Sequence, residues 1–139
     1  MATLLASLRY RLEPELKKSG VSFGWRVEDV PQLDWLDSSN ALHVLRIFQE
    51  TITNIIAHSE ATIIDVGCHF EVLQGRPGIL ITMADNGKGY DANTHSSGHG
   101  RKNIKQRAEA LDARLENESK IGVGSRTDLW LPLIRSRRG

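Results

Sequence analysis

The sequence predicts an α+β fold, a two-layer sandwich in which helices cover one face of a mixed β-sheet. Three observations support this prediction. Hydrophobic patterns follow one another in the order helix, strand, helix, strand, strand, helix, strand, strand. The strand-like segments alternate apolar and polar residues, so each should have one buried and one solvated face. With 139 residues, 40% of them hydrophobic and 25% charged, the chain has the composition of one globular domain with a real core.

Charge, hydropathy and cysteine content argue against several classes of partner and compartment. A net charge of +1 gives no reason to expect nucleic acid as a partner. No apolar run approaches the roughly 20 residues that span a bilayer, and no signal peptide is visible, so we expect no direct membrane contact. Cys68 is the only cysteine, which excludes an internal disulfide and fits a reducing cytoplasm.

The first half of the chain predicts two helices around one strand. A first helix should be interrupted or restarted by Pro14, and it is marked by leucines at helical spacing, namely Leu4, Leu5, Leu8 and Leu12. Residues 21–27 alternate and predict a half-buried strand. After a loop, Asp37 to Asn40 offer N-cap candidates for the strongest helix, at about 40–58.

The helix at 40–58 has two distinct faces. Its apolar side should face the core and comprises Ala41, Val44, Leu45, Phe48, Ile52, Ile55 and Ile56. Its opposite side is polar and comprises His43, Glu50, Asn54 and His58. Ile47 falls between these polar residues, which indicates that the polar side is partly covered.

The second half predicts strands at 64–72 and 79–84, a helix from about Arg101, and strands near 113–119 and 125–133. The helix carries one apolar stripe, formed by Ile104, Ala108 and Leu111. Residues 90–100 have no periodicity, and we expect a mobile loop there. A short turn, Gly122-Val-Gly124, joins the last two strands.

The most informative segment is Asp85-Asn-Gly-Lys-Gly89, which follows an apolar strand directly. Asp85 is an acceptor-only side chain at a strand end, where it can meet an amine of a bound ligand. Gly87 and Gly89 allow a tight turn and leave no Cβ between chain and ligand. Alone this motif is weak, because Asp-Asn-Gly is also a common turn sequence.

Three further fragments could also contact a ligand, and each also has a purely structural explanation. Glu50, Asn54 and His58 lie at i, i+4 and i+8 on one helix face, where a carboxylate and an amide oxygen could hold Mg²⁺, although a plain solvated face gives the same pattern. Another fragment, Gly98-His-Gly100 before Arg101-Lys102, offers glycine, a helix N-terminus and two cations for a phosphate, or simply a flexible loop with a solvated first turn. The weakest is Gly122-Val-Gly-Ser125, since Gly-x-Gly between strands is mostly a hairpin.

The four fragments occur together and in a fixed order along the chain, and in this they resemble the nucleotide-binding catalytic domain of bacterial sensor histidine kinases. That domain belongs to the gyrase, Hsp90, histidine kinase and MutL ATPase superfamily, which has a Bergerat-type fold. Phe48-Gln-Glu-Thr-Ile-Thr-Asn54-Ile-Ile-Ala-His58 is similar to the N box of the nitrate-sensor-type kinases. Asn103 to Leu111 is similar to the helix after their second glycine box, and Leu129 to Leu133 is similar to their closing strand. The resemblance covers about residues 21–133.

The resemblance implies roles at the base and the metal. In that family the aspartate matching Asp85 accepts a hydrogen bond from the exocyclic amine of adenine, and the glycines matching Gly87 and Gly89 shape the pocket. Asn54 matches the residue that coordinates the Mg²⁺ bridging the ATP phosphates. Glu50 matches an acid proposed to polarise the attacking group or support the metal.

The resemblance also implies a phosphate end. Gly98 and Gly100 match the second glycine box, whose amides face the phosphates beneath a lid over about 90–102, and His58 matches a position near them with an orienting role. The site would be closed from the sheet side by the last box, Gly122, Gly124 and Ser125. The family transfers the ATP γ-phosphoryl group to a histidine on a separate dimerisation domain, from which a response regulator takes it.

The chain departs from the family pattern at three places. Ala57 replaces a basic residue, Arg101 replaces an apolar lid anchor, and Asp112-Ala113 replaces a glycine pair. None of the five histidines lies in an acceptor-like motif. The leucine-rich start resembles the end of a dimerisation helix, so we expect residues 1–20 to be the end of a linker or dimerisation helix, 21–134 the catalytic domain and 135–139 a solvated basic tail. Two alternatives remain open, an anti-sigma factor-type serine kinase and a non-catalytic nucleotide-sensing module.

Overall fold

The structure, a computed structural model, describes residues 1–89 and 99–134. Its elements are α1 (Ala2–Ser19), β1 (Ser22–Val27), α2 (Ser38–His58), β2 (Ile63–Leu73), β3 (Arg76–Asp85), α3 (His99–Ala110), β4 (Arg114–Lys120) and β5 (Gly124–Pro132). This order of helices and strands is the predicted one. The expectations for Gly98, for the loop at 90–98, for the side chains of Arg101 and Lys102, and for the tail at 135–139 lie outside the described residues.

One five-stranded sheet holds the domain together, in the order β1-β2-β3-β5-β4. β1 runs parallel to β2, and the other three pairs are antiparallel, so the sheet is mixed as predicted. The parallel pair requires a crossover, which the loop after β1 and helix α2 provide. Among the described residues, no helix is long and apolar enough to cross a lipid bilayer.

The core lies between one face of the sheet and the three helices. The strand residues that face it alternate with solvated ones, and they include Ile64, Val66, Cys68, Ile79, Ile81, Met83, Leu129 and Leu131. Helix α2 is the central element of the helical layer. Its residues Val44, Ile47, Phe48 and Ile52 are fully buried. Burial of Ile47 confirms that the polar side of α2 is partly covered.

The prediction that Pro14 breaks the first helix is wrong, because α1 continues from Ala2 to Ser19 with Pro14 inside it. A proline in a helix leaves the carbonyl four residues earlier without its N–H partner. That carbonyl belongs to Tyr10, a residue on the solvent-exposed side of the helix. Packing of its apolar stripe against the core stabilises the helix across Pro14. The four residues of the stripe are each at most 3% exposed, namely Leu5, Leu8, Leu12 and Leu16.

The N-terminus of α2 lies two residues earlier than expected. Asp37 is the N-cap, and its carboxylate accepts a hydrogen bond from the Asn40 N–H at 2.9 Å. This satisfies one of the amides that have no partner within the helix. From there α2 runs 21 residues to His58. Its C-terminal end therefore arrives beside the segment that follows β3.

Candidate functional site

Asp85 is the last residue of β3 and lies mostly buried, at 9% exposure. One carboxylate oxygen accepts a hydrogen bond from the Gly87 N–H at 2.8 Å, and the other accepts one from the Ser125 hydroxyl. Among the described residues, no cation forms an ion pair with it. A carboxylate offers about four acceptor positions. Two donors leave Asp85 able to accept a hydrogen bond from a ligand.

The glycines next to Asp85 are required by close backbone approach. A Cβ at Gly87 would lie 2.5 Å from the Ser59 carbonyl oxygen. Gly89 has a φ of +67°, and a Cβ there would lie 2.2 Å from the carbonyl oxygen of Lys120. No other residue could pass so close to a neighbouring backbone without displacing it.

The last glycine motif packs onto this same loop. Gly124, with a φ of +134°, approaches so closely that a Cβ would lie 2.0 Å from the Asp85 carbonyl oxygen. The Gly122 N–H donates a 2.7 Å hydrogen bond to the Lys88 carbonyl. Two motifs separated by more than thirty residues in sequence thus form one edge, and Ser125 lies directly opposite Asp85 in the β3–β5 register.

The C-terminal end of α2 is bonded to the glycine loop from the other side. The Lys88 N–H donates to the carbonyl of Ser59, the residue after the helix, at 2.7 Å. Asn54 and His58 are exposed on the last turns of α2. Glu50 is half-buried one turn earlier, and its Oε2 is buried without a hydrogen-bond partner among the described residues.

The side-chain oxygens of Glu50 and Asn54 suit a hard cation such as Mg²⁺, which would take its remaining ligands from water or a bound phosphate. Among the described residues, no group of three or more His, Cys, Asp or Glu side chains could hold a metal ion. Glu50 and Asn54 would supply two oxygen ligands. Mg²⁺ commonly binds this way, with water and phosphate oxygens completing its octahedron. The unpartnered Glu50 Oε2 is an acceptor such an ion would satisfy.

The second glycine motif is only partly described. Helix α3 begins at His99, two residues before the predicted start, so Gly100 lies in its first turn. The apolar stripe of α3 is buried as predicted, with Ile104, Ala108 and Leu111 at 6%, 2% and 0% exposure. The position of this motif relative to Asp85 stays a prediction.

Sequence reasoning missed Asn86, which it treated as a turn residue. Its Oδ1 accepts hydrogen bonds from the backbone N–H groups of Thr62 and Ile63, both at 2.9 Å, and its Nδ2 donates to the Thr62 hydroxyl at 2.8 Å. An amide can donate and accept at once, which suits it to join two segments. The sequence does not show which segment lies opposite.

The fold and site together define an α+β domain with an acceptor carboxylate at a strand end, framed by two glycine turns and by an acid- and amide-bearing helix. No protein-family model matches the sequence. The sensor histidine kinase ComP of Bacillus subtilis (strain 168) is 38% identical over 101 residues, which are 70% of this chain and 13% of ComP.

Solved structures share the fold. The histidine kinase domain of the Erythrobacter litoralis EL346 blue-light activated histidine kinase has a TM-score of 0.71 at 18% identity, over 94% of this chain and 61% of that one. Full-length ShkA in complex with AMPPNP has a TM-score of 0.74 at 17% identity, over 94% of this chain and 29% of ShkA.

The chain belongs to the sensor histidine kinase family, and it shares its fold with the histidine kinase domains of known structure. The anti-sigma factor-type kinase and the non-catalytic sensing module are not favoured. The chain spans about a third or less of the length of the curated sensor kinases that it matches. The nitrate-sensor subtype stays a prediction.

Proposed function

We propose that this domain binds ATP with Mg²⁺ and positions the γ-phosphoryl group for transfer to a histidine on a separate dimerisation domain, for relay to a response regulator. The observation that carries the proposal is the environment of Asp85. Its carboxylate is buried at a strand end, is held by two neutral donors and keeps acceptor capacity. Family membership and the AMPPNP bound by ShkA support the choice of nucleotide.

A fixed carboxylate at this position favours adenine over guanine. Adenine presents an exocyclic amine, which donates a hydrogen bond to Asp85, whereas guanine presents a carbonyl oxygen at the equivalent ring position. Two acceptors facing each other in a buried site repel and leave both groups unsatisfied. Gly87, Gly89 and Gly124 let the backbone segments around this carboxylate pack closely, because a Cβ at any of them would meet neighbouring backbone.

Residues of α2 and of the second glycine motif would bind the phosphates of the nucleotide. Glu50 and Asn54 would hold Mg²⁺, which when bound offsets the negative charge of the phosphates. Next along the same helix, His58 would orient the phosphates. We assign Gly98, Gly100, Arg101 and Lys102 to phosphate contact, because amides and cations stabilise the charge that develops during transfer.

The partners follow from the chemistry. The acceptor histidine would come from a separate dimerisation domain. Residues 1–20 would lead towards it while their leucine stripe packs on the catalytic domain of 21–134, and 135–139 would be a basic tail. ATP and a response regulator place the reaction in the cytoplasm, whether or not the parent protein is anchored in a membrane.

The test is nucleotide binding by Asp85→Asn, which keeps the side-chain shape but replaces one acceptor oxygen by a donor amide. We expect the affinity for ATP to fall by about 100-fold or more, because an N–H group would face the adenine amine. Asp65→Asn, at an exposed position of β2, is the matched control. ATP affinity equal to that of the unaltered domain would overturn the assignment of the base pocket.

Transfer is tested by adding ATP, Mg²⁺ and a histidine-bearing dimerisation domain of a related kinase in trans. Phosphohistidine, which is labile in acid and stable in base, supports the kinase. Tight ATP binding without any transfer, in a mixture where the related kinase's own catalytic domain does transfer, supports the nucleotide-sensing alternative.

A further inference from the structure

Asn86 attaches the glycine loop to the connection between α2 and β2. Three side-chain hydrogen bonds join it to Thr62 and Ile63, and its own N–H donates to the Ile63 carbonyl at 3.3 Å. The side chain is exposed and lies one residue after the base-binding carboxylate. Asn86 could therefore affect the site through the position of the loop, without contacting a ligand itself.

The same loop is joined to the last turn of α2. Ser59 accepts the Lys88 N–H, and its own N–H and hydroxyl donate to the Ile55 carbonyl within α2, at 3.0 and 2.6 Å. Gly87 passes so close to Ser59 that no Cβ fits between them. The loop and the C-terminal end of α2 therefore form one continuous hydrogen-bonded joint.

Asp85 itself is held from a different direction. Its place in the sheet is fixed by pairing with Ile64 and Ser125, and its carboxylate is oriented by the Ser125 hydroxyl and the Gly87 N–H. Loss of the Asn86 contacts should leave the carboxylate in place. What it should loosen is the attachment of the loop to the connection that follows α2.

We infer that Asn86 is a positioning residue that fixes the distance between Asp85 and the metal-binding face of α2, so that the base and the phosphates of one nucleotide are bound together. The inference rests on the proposed function. A ligand that spans both ends gains affinity when the two ends are held at the right separation, whereas a ligand that touches only the base end does not.

The experiment compares adenosine with Mg²⁺-AMPPNP, titrated by NMR and calorimetry into the whole chain. For Asn86→Ala we expect adenosine affinity within about twofold of the unaltered domain and Mg²⁺-AMPPNP affinity lower by roughly tenfold, because about one hydrogen bond's worth of free energy is lost. Asn86→Asp keeps an acceptor for the Thr62 and Ile63 amides, so it should restore Mg²⁺-AMPPNP binding to within about threefold.

Asn40→Ala is the matched control. Asn40 also fastens a loop to α2, by a 3.1 Å hydrogen bond to the Trp35 carbonyl, but at the opposite end of the helix. Asn40→Ala should lower the melting temperature and leave the ratio of the two affinities unchanged.

Two results would overturn the inference alone. One is an Asn86→Ala domain that loses affinity for both ligands equally, and the other is an Asn40→Ala domain that changes the ratio as much as Asn86→Ala does. An unaltered domain that binds neither ligand would instead overturn the proposed function, and the inference with it.

Discussion

The Ser125 hydroxyl donates a hydrogen bond to the Asp85 carboxylate across the pairing of β3 and β5. The two residues are forty positions apart in sequence and directly opposite in register. Since the Asp85 carboxylate is buried, its rotamer depends on such donors, and the hydroxyl holds it without neutralising its charge. The last glycine motif therefore contributes to the base end of the site as well as closing it.

Ser125→Ala should weaken adenine-nucleotide binding by about five- to tenfold, because one carboxylate oxygen loses its donor. Ser125→Thr keeps the hydroxyl and should bind within about twofold of the unaltered domain. Calorimetric titration with ATP measures both variants. Equal affinity of Ser125→Ala and the unaltered domain would show that Gly87 alone orients Asp85.

Asn54→Ala should remove the dependence of nucleotide affinity on Mg²⁺ and spare binding in EDTA, because a single metal-ligating oxygen is lost while the base pocket is intact. Nucleotide titrations with and without Mg²⁺ measure the effect. The control is Thr53→Ala at the preceding exposed position of α2. Undiminished Mg²⁺ coupling in Asn54→Ala would refute the metal role.

Gly124→Ala should destabilise the fold by about 3 kcal/mol or more, since a Cβ there meets the Asp85 carbonyl in a backbone conformation that side chains rarely adopt. Gly75 is the matched control. It has a φ of +78° and open space around a Cβ, so Gly75→Ala should cost only about 1–2 kcal/mol. Urea unfolding of both variants decides the comparison, and equal costs would contradict the close approach.

Leu12→Ala should cost about 2–5 kcal/mol, because Leu12 is 3% exposed in the common core. Tyr10 lies on the same helix and is 80% exposed, so Tyr10→Ala should change the free energy of unfolding by no more than about 0.5 kcal/mol. The measurement is chemical denaturation of the whole chain. A neutral Leu12→Ala would show that α1 does not pack on the domain in solution.

Stability should also depend on pH through Cys68, whose thiol pKa is raised by burial from 9.0 to about 11. Below pH 9 the thiol is protonated in both states, so the contribution is fully present. Between pH 9 and 11 the unfolded chain loses its proton first, and the free energy of unfolding falls by about 2–3 kcal/mol. Cys68→Ala should lack this part of the pH profile, and parallel profiles of the two proteins would contradict it.

Periodicity predicted the order of the elements because each helix or strand has to present one apolar face to the same core. It failed at Pro14, where local backbone cost was outweighed by four buried leucines along α1. It also could not show where a regular strand leaves the core. Phe70 and Val72 continue the alternation of β2 and are 46% and 55% exposed.

The sequence by itself determined the fold class, the family resemblance and the identity of Asp85, Glu50 and Asn54 as candidates, because these depend on residue type and local spacing. Only the tertiary structure decided that Ser125 faces Asp85, that Asn86 bonds to Thr62, and that the Glu50 Oε2 is buried without a partner in the described chain. Such relations depend on strand register and on the approach of distant segments. Local propensity carries no information about either.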